Sequence, residues 1–339
     1  MLTFTPEQLE QVGCAILERA GTPADLAQLV VHSLVESNLL GHDSHGVLRL
    51  MPYINWVREG RIKPAVRAIV ARHFGAMSIV DGLYGWGQPA AQLAARTAAA
   101  LAEQHGVGAV TIAHGNHLGR LGEYTDMIAR AGCVGIAMAN VGPGVAPFGG
   151  RTRMMGTNPM AYSVPRAPGE NPILLDFATS GVAEGKLMVA RDKGAEVAPG
   201  LIINKEGNAA TDPNDYFNGG ALLPFGLHKG YGLSLMCELI GGALSGTGPS
   251  ALPDFDGGNG TLMMALKIEA FTSPDQFTDQ VERLYGAIRA APPKPGVDAV
   301  LMPGDPERKT RAYRLEHGVQ LPERTWEEIQ ALARELGAA

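Results

Sequence analysis

The strongest constraint on this chain is a rhythm in its middle, where short apolar runs alternate with stretches of helical periodicity. Residues 76–80, 107–113 and 134–139 read as strands, with helices at about 89–103 and 123–131 between them. Alternation of this kind implies a layered α/β fold, because each strand has to bury a face beneath a helix. Further strands are expected at 173–176, 201–204 and 262–269, and a buried helix at 229–244. The chain ends read as helical instead. Thr5-Pro6-Glu7-Gln8 offers an N-cap, a proline for the first helical position and a capping-box partner. Thr22-Pro23-Ala24-Asp25 repeats the start signal, and a third helix follows Gly46 and stops at Gly60. Helices are also expected at 275–291, 306–316 and 322–336. The stretch 241–260, rich in Gly, Pro and Ser, reads as a mobile loop.

Composition bounds the function. The 339 residues are 45% apolar and 18% charged, enough for a sizeable core and too apolar for disorder. No apolar run approaches the roughly 18 residues of a membrane span, and MLTFTPEQLE lacks an export-signal core. A net charge of −6 argues against nucleic acid as a partner. Cys14, Cys133 and Cys237 lack paired spacing, so neither a disulfide framework nor a zinc site is indicated. A soluble cytoplasmic protein is expected. The anomaly is 44 glycines, nearly twice the usual share of roughly 7%. They invite a search for a dinucleotide loop, yet Gly142-Pro143-Gly144-Val145-Ala146-Pro147 puts proline where the fingerprint needs glycine and a helix start. No GxxxxGK[ST] occurs. A dinucleotide, if bound, is bound another way.

Four clusters carry chemistry. In the first, Gly41-His42-Asp43-Ser44-His45-Gly46 lies between helices, with Arg49 and Tyr53 on one helix face beyond it. An arginine fork beside a histidine suits a 2-oxo acid, one for the carboxylate and one for the carbonyl proton. The same spacing equally fits histidines that merely cap a junction and a solvated arginine. In the second, His114-Gly115-Asn116-His117-Leu118-Gly119-Arg120-Leu121-Gly122 follows a strand, where α/β folds place ligands; a plain turn is the rival. The third is Asp176-Phe177-Ala178-Thr179-Ser180, whose strand-end carboxylate can orient a histidine or simply cap a helix. In the fourth, His228-Lys229 sits among glycines before an apolar helix, and can meet phosphate with charge and helix amides or be plain surface.

Taken in order, SHGVLRLMPY, HGNHLGRLGEY, GTNPMAY, LDFATSGVAEGK, LLPFGLHKGYGL and MPGDPE closely resemble the malate/L-lactate dehydrogenase family of NAD(P)-dependent oxidoreductases, unrelated to the Rossmann-type lactate dehydrogenases. The resemblance spans nearly the whole chain. It implies a three-layer α/β/α fold with a mixed, non-Rossmann sheet over 76–305. A helical domain would come from both chain ends, 1–75 with 306–339. It further implies a homodimer, NAD or NADP as cofactor, and a small carboxylic acid as substrate, either a 2-hydroxy acid or a cyclic imine-2-carboxylate.

Carried over residue by residue, the resemblance makes His45 the proton donor, with Ser44 and Asp176 as relay partners. His117 is its rival for that role. Arg49 would hold the substrate carboxylate, with Thr157 and Asn158 lining the pocket. The cofactor would lie against His117, Leu118, Gly119, Arg120, Leu121, Asp176, Phe177, Ala178, Thr179, His228, Lys229, Pro303, Gly304 and Asp305. The family's lysine motif carries Gly-Gly where this chain has Gly226-Leu227, and its late motif carries Glu where this chain has Asp305. The expected reaction is hydride transfer at C2 of a 2-oxo or 2-hydroxy acid, with imine reduction as the same-family alternative. Outside the family, a metal-dependent lyase or hydrolase using the pairs His42/His45 and His114/His117 competes, as does a non-catalytic acid-binding protein. No metal is expected for the dehydrogenase.

Overall fold

A computed structural model describes residues 1–338, except for the side chain of Asp192. In chain order the strands are β1 Leu2–Phe4, β2 Ile69–Phe74, β3 Met77–Asp81, β4 Val107–Ala113, β5 Cys133–Ala139, β6 Met160–Val164, β7 Ile173–Phe177, β8 Ile202–Ile203, β9 Ala209–Ala210, β10 Ala221–Leu222, β11 Thr261–Lys267 and β12 Val319–Leu321. The helices are α1 Pro6–Arg19, α2 Ala24–Leu39, α3 Leu50–Arg58, α4 Gly87–His105, α5 Leu121–Arg130, α6 Glu184–Asp192, α7 Pro213–Phe217, α8 His228–Met236, α9 Pro274–Arg289, α10 Asp305–His317 and α11 Glu323–Leu336.

The central sheet has seven strands in the order β2-β3-β4-β11-β5-β6-β7. Only β3 and β4 run parallel; every other neighbouring pair is antiparallel. That order has no Rossmann half in it, which agrees with the failed glycine fingerprint. The sheet starts at Ile69, ahead of the expected boundary at residue 76.

Strand β4 alternates buried and half-buried residues, and its buried positions face α4. Helix α4 answers with a run of alanines, Ala90, Ala91, Ala94, Ala95, Ala98 and Ala102, all buried. Small side chains on both sides let helix and strand approach closely. At the crossing a Cβ on Gly108 would sit 2.0 Å from the Ala98 carbonyl, so only glycine fits. On the opposite face, the π-helical stretch Cys237–Ala243 that continues α8 packs on β5 and β11.

A second core joins both ends of the chain. Leu9, Ile16, Leu17, Leu34, Tyr53 and Ile54 pack with Val319, Leu321, Ile329 and Leu332, and β1 pairs antiparallel with β12. The capping box forms as expected: Thr5 Oγ1 accepts the Gln8 amide at 3.2 Å and Gln8 Oε1 accepts the Thr5 amide at 2.9 Å. Thr22 does not repeat it. Its helix begins at Ala24 with Pro23 at the cap, and the buried Thr22 hydroxyl has no partner.

Two further expectations fail. The helix at 229–244 is only half buried, with Leu235, Met236, Leu239 and Leu244 exposed, because apolar content does not reveal which face lacks a neighbour. The stretch 241–260 is pinned rather than loose, since Ser250 donates to Glu238 and Asn259 to the Asn140 carbonyl. No described helix is long and apolar enough to cross a membrane.

Candidate active site

The turn after α2 is built by its neighbours. Asn38 uses both ends of its amide, accepting from Val47 N at 2.9 Å and donating to Asp43 Oδ1 at 2.7 Å. Arg314, on α10 near the other chain end, grips both Asp43 carboxylate oxygens at 2.6 and 3.0 Å. Between these anchors two short 3-10 turns, Asp43–His45 and Val47–Arg49, present Ser44, His45 and Arg49 together. Ser44 Oγ lies 3.0 Å from His45 Nδ1. Arg49 is tethered by its Nε, which donates to the Ser44 carbonyl at 2.7 Å. Its two Nη groups have no partner among the described residues, so the fork is open to a ligand.

The parallel pair β3–β4 delivers the second histidine. Beyond β4 the loop is clamped by Asn116, whose Nδ2 donates to the carbonyls of Arg61, Tyr84 and Gly85. His117 then stacks on His45 with ring centroids 5.5 Å apart. Its Nδ1 meets the Tyr53 hydroxyl at 2.7 Å, and that hydroxyl accepts from Gln88 Nε2 at 2.8 Å.

Electrostatics make this pair unusual. Burial, helped by the Arg49 charge and then by His42 and Arg120, pushes His45 down to about 3. Burial and the Arg49 charge also hold His117 well below the usual histidine range. Both imidazoles are therefore neutral at pH 7, the form that accepts a proton.

Asp176 is placed differently from the expected relay. Its Oδ2 accepts the Gly122 amide at 2.7 Å, and the charges that reach it are those of Arg120, His42 and Glu307. Burial raises Asp176 and lowers His42. The hydrogen-bond partner of His45 Nδ1 is Ser44 Oγ, and no described bond links Asp176 to His45. A sequence scan cannot see this, because His42 and His45 lie on different sides of one turn. Arg120 is buried beside this group, donates from Nε to Ser37 Oγ at 3.2 Å, and leaves its Nη groups unpaired among the described residues. Leu118 and Leu121 are buried on either side of Gly119 and Arg120.

Asn158 does not offer its amide to a pocket. Its Nδ2 donates to the Ser234 carbonyl and hydroxyl and to Glu238 Oε1, and its Oδ1 accepts the Val141 amide. Thr157 acts through its carbonyl, which accepts both the amide and the hydroxyl of Thr179. Phe177 packs edge-on against Phe225, with Ala178 between it and Thr179. Leu227 does adopt a positive φ of 59° where glycine would be easier, and α8 starts there with His228 and Lys229. The amides of Lys229 and Gly230 bond back to Gly226 and Phe225, so neither is free to meet an anion at this helix start. Pro303 accepts the Leu174 amide, which sets Gly304 and Asp305 against the β7 edge. Asp305 pairs there with Arg308 and Arg289.

The histidine pairs expected for a metal part company. His42 faces Glu307 and His114 bonds Asp81, while His45 and His117 turn to Ser44 and Tyr53. Among the described residues no three metal-ligating side chains converge.

Sequence reasoning missed Asn38, Arg314, Gln88 and Glu238 as site builders. Tyr53 alone had a signal, its helical spacing from Arg49. Arg314 and Glu238 reach the site only through long-range folding.

The family model for malate/L-lactate dehydrogenase matches residues 4–330. The malate dehydrogenase of Pyrococcus abyssi is 35% identical over 95% of this chain and 91% of its own length. The L-lactate dehydrogenase of Cupriavidus necator is 36% identical over 97% and 96%. The solved structure of the δ1-piperideine-2-carboxylate reductase of Pseudomonas syringae pvar. tomato superposes with a TM-score of 0.84 at 28% identity, over 98% of this chain and 100% of its own. With its sheet order, its paired histidines and these matches along nearly the full length, the chain belongs to the malate/L-lactate dehydrogenase family of oxidoreductases.

Proposed function

We propose that this protein interconverts a small 2-hydroxy acid and its 2-oxo acid. Arg49 binds the carboxylate, and His45 exchanges the proton of the C2 oxygen. One observation carries the reading: an arginine whose two Nη groups have no partner among the described residues stands beside two stacked, neutral histidines. The relatives named as malate and lactate dehydrogenases support it. A nicotinamide dinucleotide, when bound, supplies or accepts the hydride at C2. Its anionic part needs cations free of internal pairs, and the Arg120 fork with the Lys229 ammonium fits that need. His228, Thr179 and the Pro303–Asp305 turn complete the set of residues assigned to it.

The chain's own contribution follows from its charges. Arg49 fixes the acid bidentately, so that C2 and its oxygen have one orientation against His45. In the oxidative direction, neutral His45 takes the hydroxyl proton through Nε2, while Ser44 steadies Nδ1. In the reductive direction, burial still disfavours a protonated His45, and the bound carboxylate raises its affinity for a proton by offsetting the Arg49 charge.

The test is a panel of 2-hydroxy acids, 2-oxo acids and cyclic imine-2-carboxylates, followed at the reduced-nicotinamide absorbance with NAD and NADP in turn. Turnover of a hydroxy or oxo acid, lost by roughly 10²–10⁴-fold in His45→Ala with cofactor binding retained, is the expected result. Unchanged turnover in that variant overturns the assignment. The reductase neighbour favours imine reduction as the second reading, and turnover confined to the cyclic imines would establish it.

The assembly proposed is a homodimer. Its interface would use the exposed stripe Leu235, Met236, Leu239 and Leu244 on α8 and its continuation. A Leu239→Glu variant that keeps the wild-type mass in light scattering would remove that stripe from the interface.

A further inference from the structure

We infer that Gln88 and Tyr53 are positioning residues that lock His117 as a neutral Nε2–H donor, which leaves His45 as the group that carries the proton. This rests on the reading of the His45–Arg49 cleft given above.

The direction of the chain of bonds decides the tautomer. Gln88 donates from Nε2 to the Tyr53 oxygen at 2.8 Å, so the phenolic hydrogen is left for His117 Nδ1 at 2.7 Å. A nitrogen that accepts carries no hydrogen, which puts the His117 proton on Nε2. Tyr53 cannot swing away. Its ring lies between Trp56 and Trp86, at 5.7 and 5.6 Å, and it is 1% exposed.

Both routes by which His117 could carry a proton are closed by the same arrangement. To gain one at Nδ1, it would become a second donor to the Tyr53 oxygen, and the buried phenolic hydrogen would have no acceptor. To give up its Nε2 proton, it would draw the Tyr53 hydrogen onto Nδ1 and leave a phenolate behind. Burial opposes that phenolate, raising Tyr53 to about 12. The charged and titratable groups acting on His117 are Arg49, His45 and Arg61, and both arginines disfavour an imidazolium. His117 therefore stays neutral through the cycle and gives the C2 oxygen a hydrogen bond.

Gln88 itself points the same way. It is fully buried on α4, and its Oε1 has no partner. An amide serving only to fill space would be better replaced by methionine or leucine. The unpaired oxygen is the cost of keeping an N–H aimed at Tyr53.

The experiment is ¹⁵N NMR of the full-length chain carrying labelled histidine, saturated with nicotinamide dinucleotide at neutral pH. Wild type is expected to show His117 protonated at Nε2 only. Gln88→Glu places an acceptor opposite Tyr53, so the phenol turns toward it and His117 is expected to invert to Nδ1–H, with kcat falling roughly tenfold or more. Gln88→Met removes that donor, so the Tyr53 oxygen is free to accept from Nδ1–H and His117 is expected to show a mixture of tautomers; a pure Nε2–H state in this variant would overturn the role given to Gln88. In the pH profile, His45→Asn is expected to abolish the histidine limb and His117→Asn to keep it. An imidazolium or an Nδ1–H tautomer at His117 in wild type overturns the inference, as does an uninverted Gln88→Glu. Those tautomer results stand apart from the substrate panel, which tests the function itself.

Discussion

Gly87 opens α4 directly beneath the loop carrying His117, and the absence of a side chain there is what lets them fit. A Cβ at Gly87 would lie 2.2 Å from the His117 carbonyl oxygen and 2.5 Å from that of Asn116. Both are backbone atoms, and Cβ contacts essentially never fall under 3.0 Å, so the His117 backbone must retreat by about 0.8 Å in Gly87→Ala. Two stability effects oppose each other. Alanine gains up to about 1 kcal/mol of helix propensity over glycine, while overpacking costs about 1–3 kcal/mol. The net loss is on the order of 0–2 kcal/mol, a few degrees in Tm for a chain of this size. Catalysis has no such compensation. A misplacement near 1 Å can cost about 10²-fold in rate, because the reacting atoms leave their near-attack distance. The variant should therefore fold, melt within a few degrees of wild type, and lose on the order of 10² in kcat/KM. Thermal melts and steady-state rates on the same preparation check both halves. A kcat/KM within about twofold of wild type would refute the link between this contact and His117 placement.

Other substitutions test the electrostatics and the scaffold. Burial is the main cause of the low His45 value and Arg49 the next; Arg49→Met removes only the second, so the His45 limb in kcat/KM against pH should move up while staying below the usual histidine range. Its KM should rise for acids and not for neutral carbonyl compounds; an equal loss on both refutes the carboxylate role. His45 has a folded value of about 3 against an ordinary 6.5, so the folded chain binds fewer protons than the unfolded one between those values. Its stabilising contribution is complete above the unfolded value and is lost as pH falls. One pH unit below 6.5 the loss is at most about 1.4 kcal/mol from this residue. Melting curves of wild type and His45→Asn should diverge with that sign on acidification, and parallel curves would refute it. Glu238 is buried and accepts from Asn140, Gly156, Asn158 and both donors of Ser250. In Glu238→Gln one oxygen becomes a donor facing donors, at an expected cost of about 1–3 kcal/mol in denaturant unfolding.

Local signals carried much of this fold. The runs around β4, β5 and β11 and the capping box at Thr5 follow directly from residue spacing, because their partners lie within a turn or an alternation. The misses share one cause. Strand β1 is three residues long and exists through its partner β12, more than three hundred positions away. The relay expected between Asp176 and His45 fails for a similar reason: order in the chain does not say which face of the His42–His45 turn meets β7. The same holds for Arg314 on Asp43, which brings the two chain ends together at the turn that bears Ser44 and His45.

Part of the glycine excess finds its explanation in this packing. It belongs to no single cofactor loop. Gly108 admits α4 onto β4, and Gly87 admits the His117 loop onto the start of α4. Helix α4 thereby fixes two things at once, since the residue after Gly87 is the Gln88 that aims Tyr53 at His117. Bulk added anywhere along the alanine face of α4 would move the helix, and with it both the backbone under His117 and the donor that sets its tautomer. Close packing and proton placement in this enzyme are consequently one structural property, set where a helix of small residues meets a strand that opens with glycine at its second position.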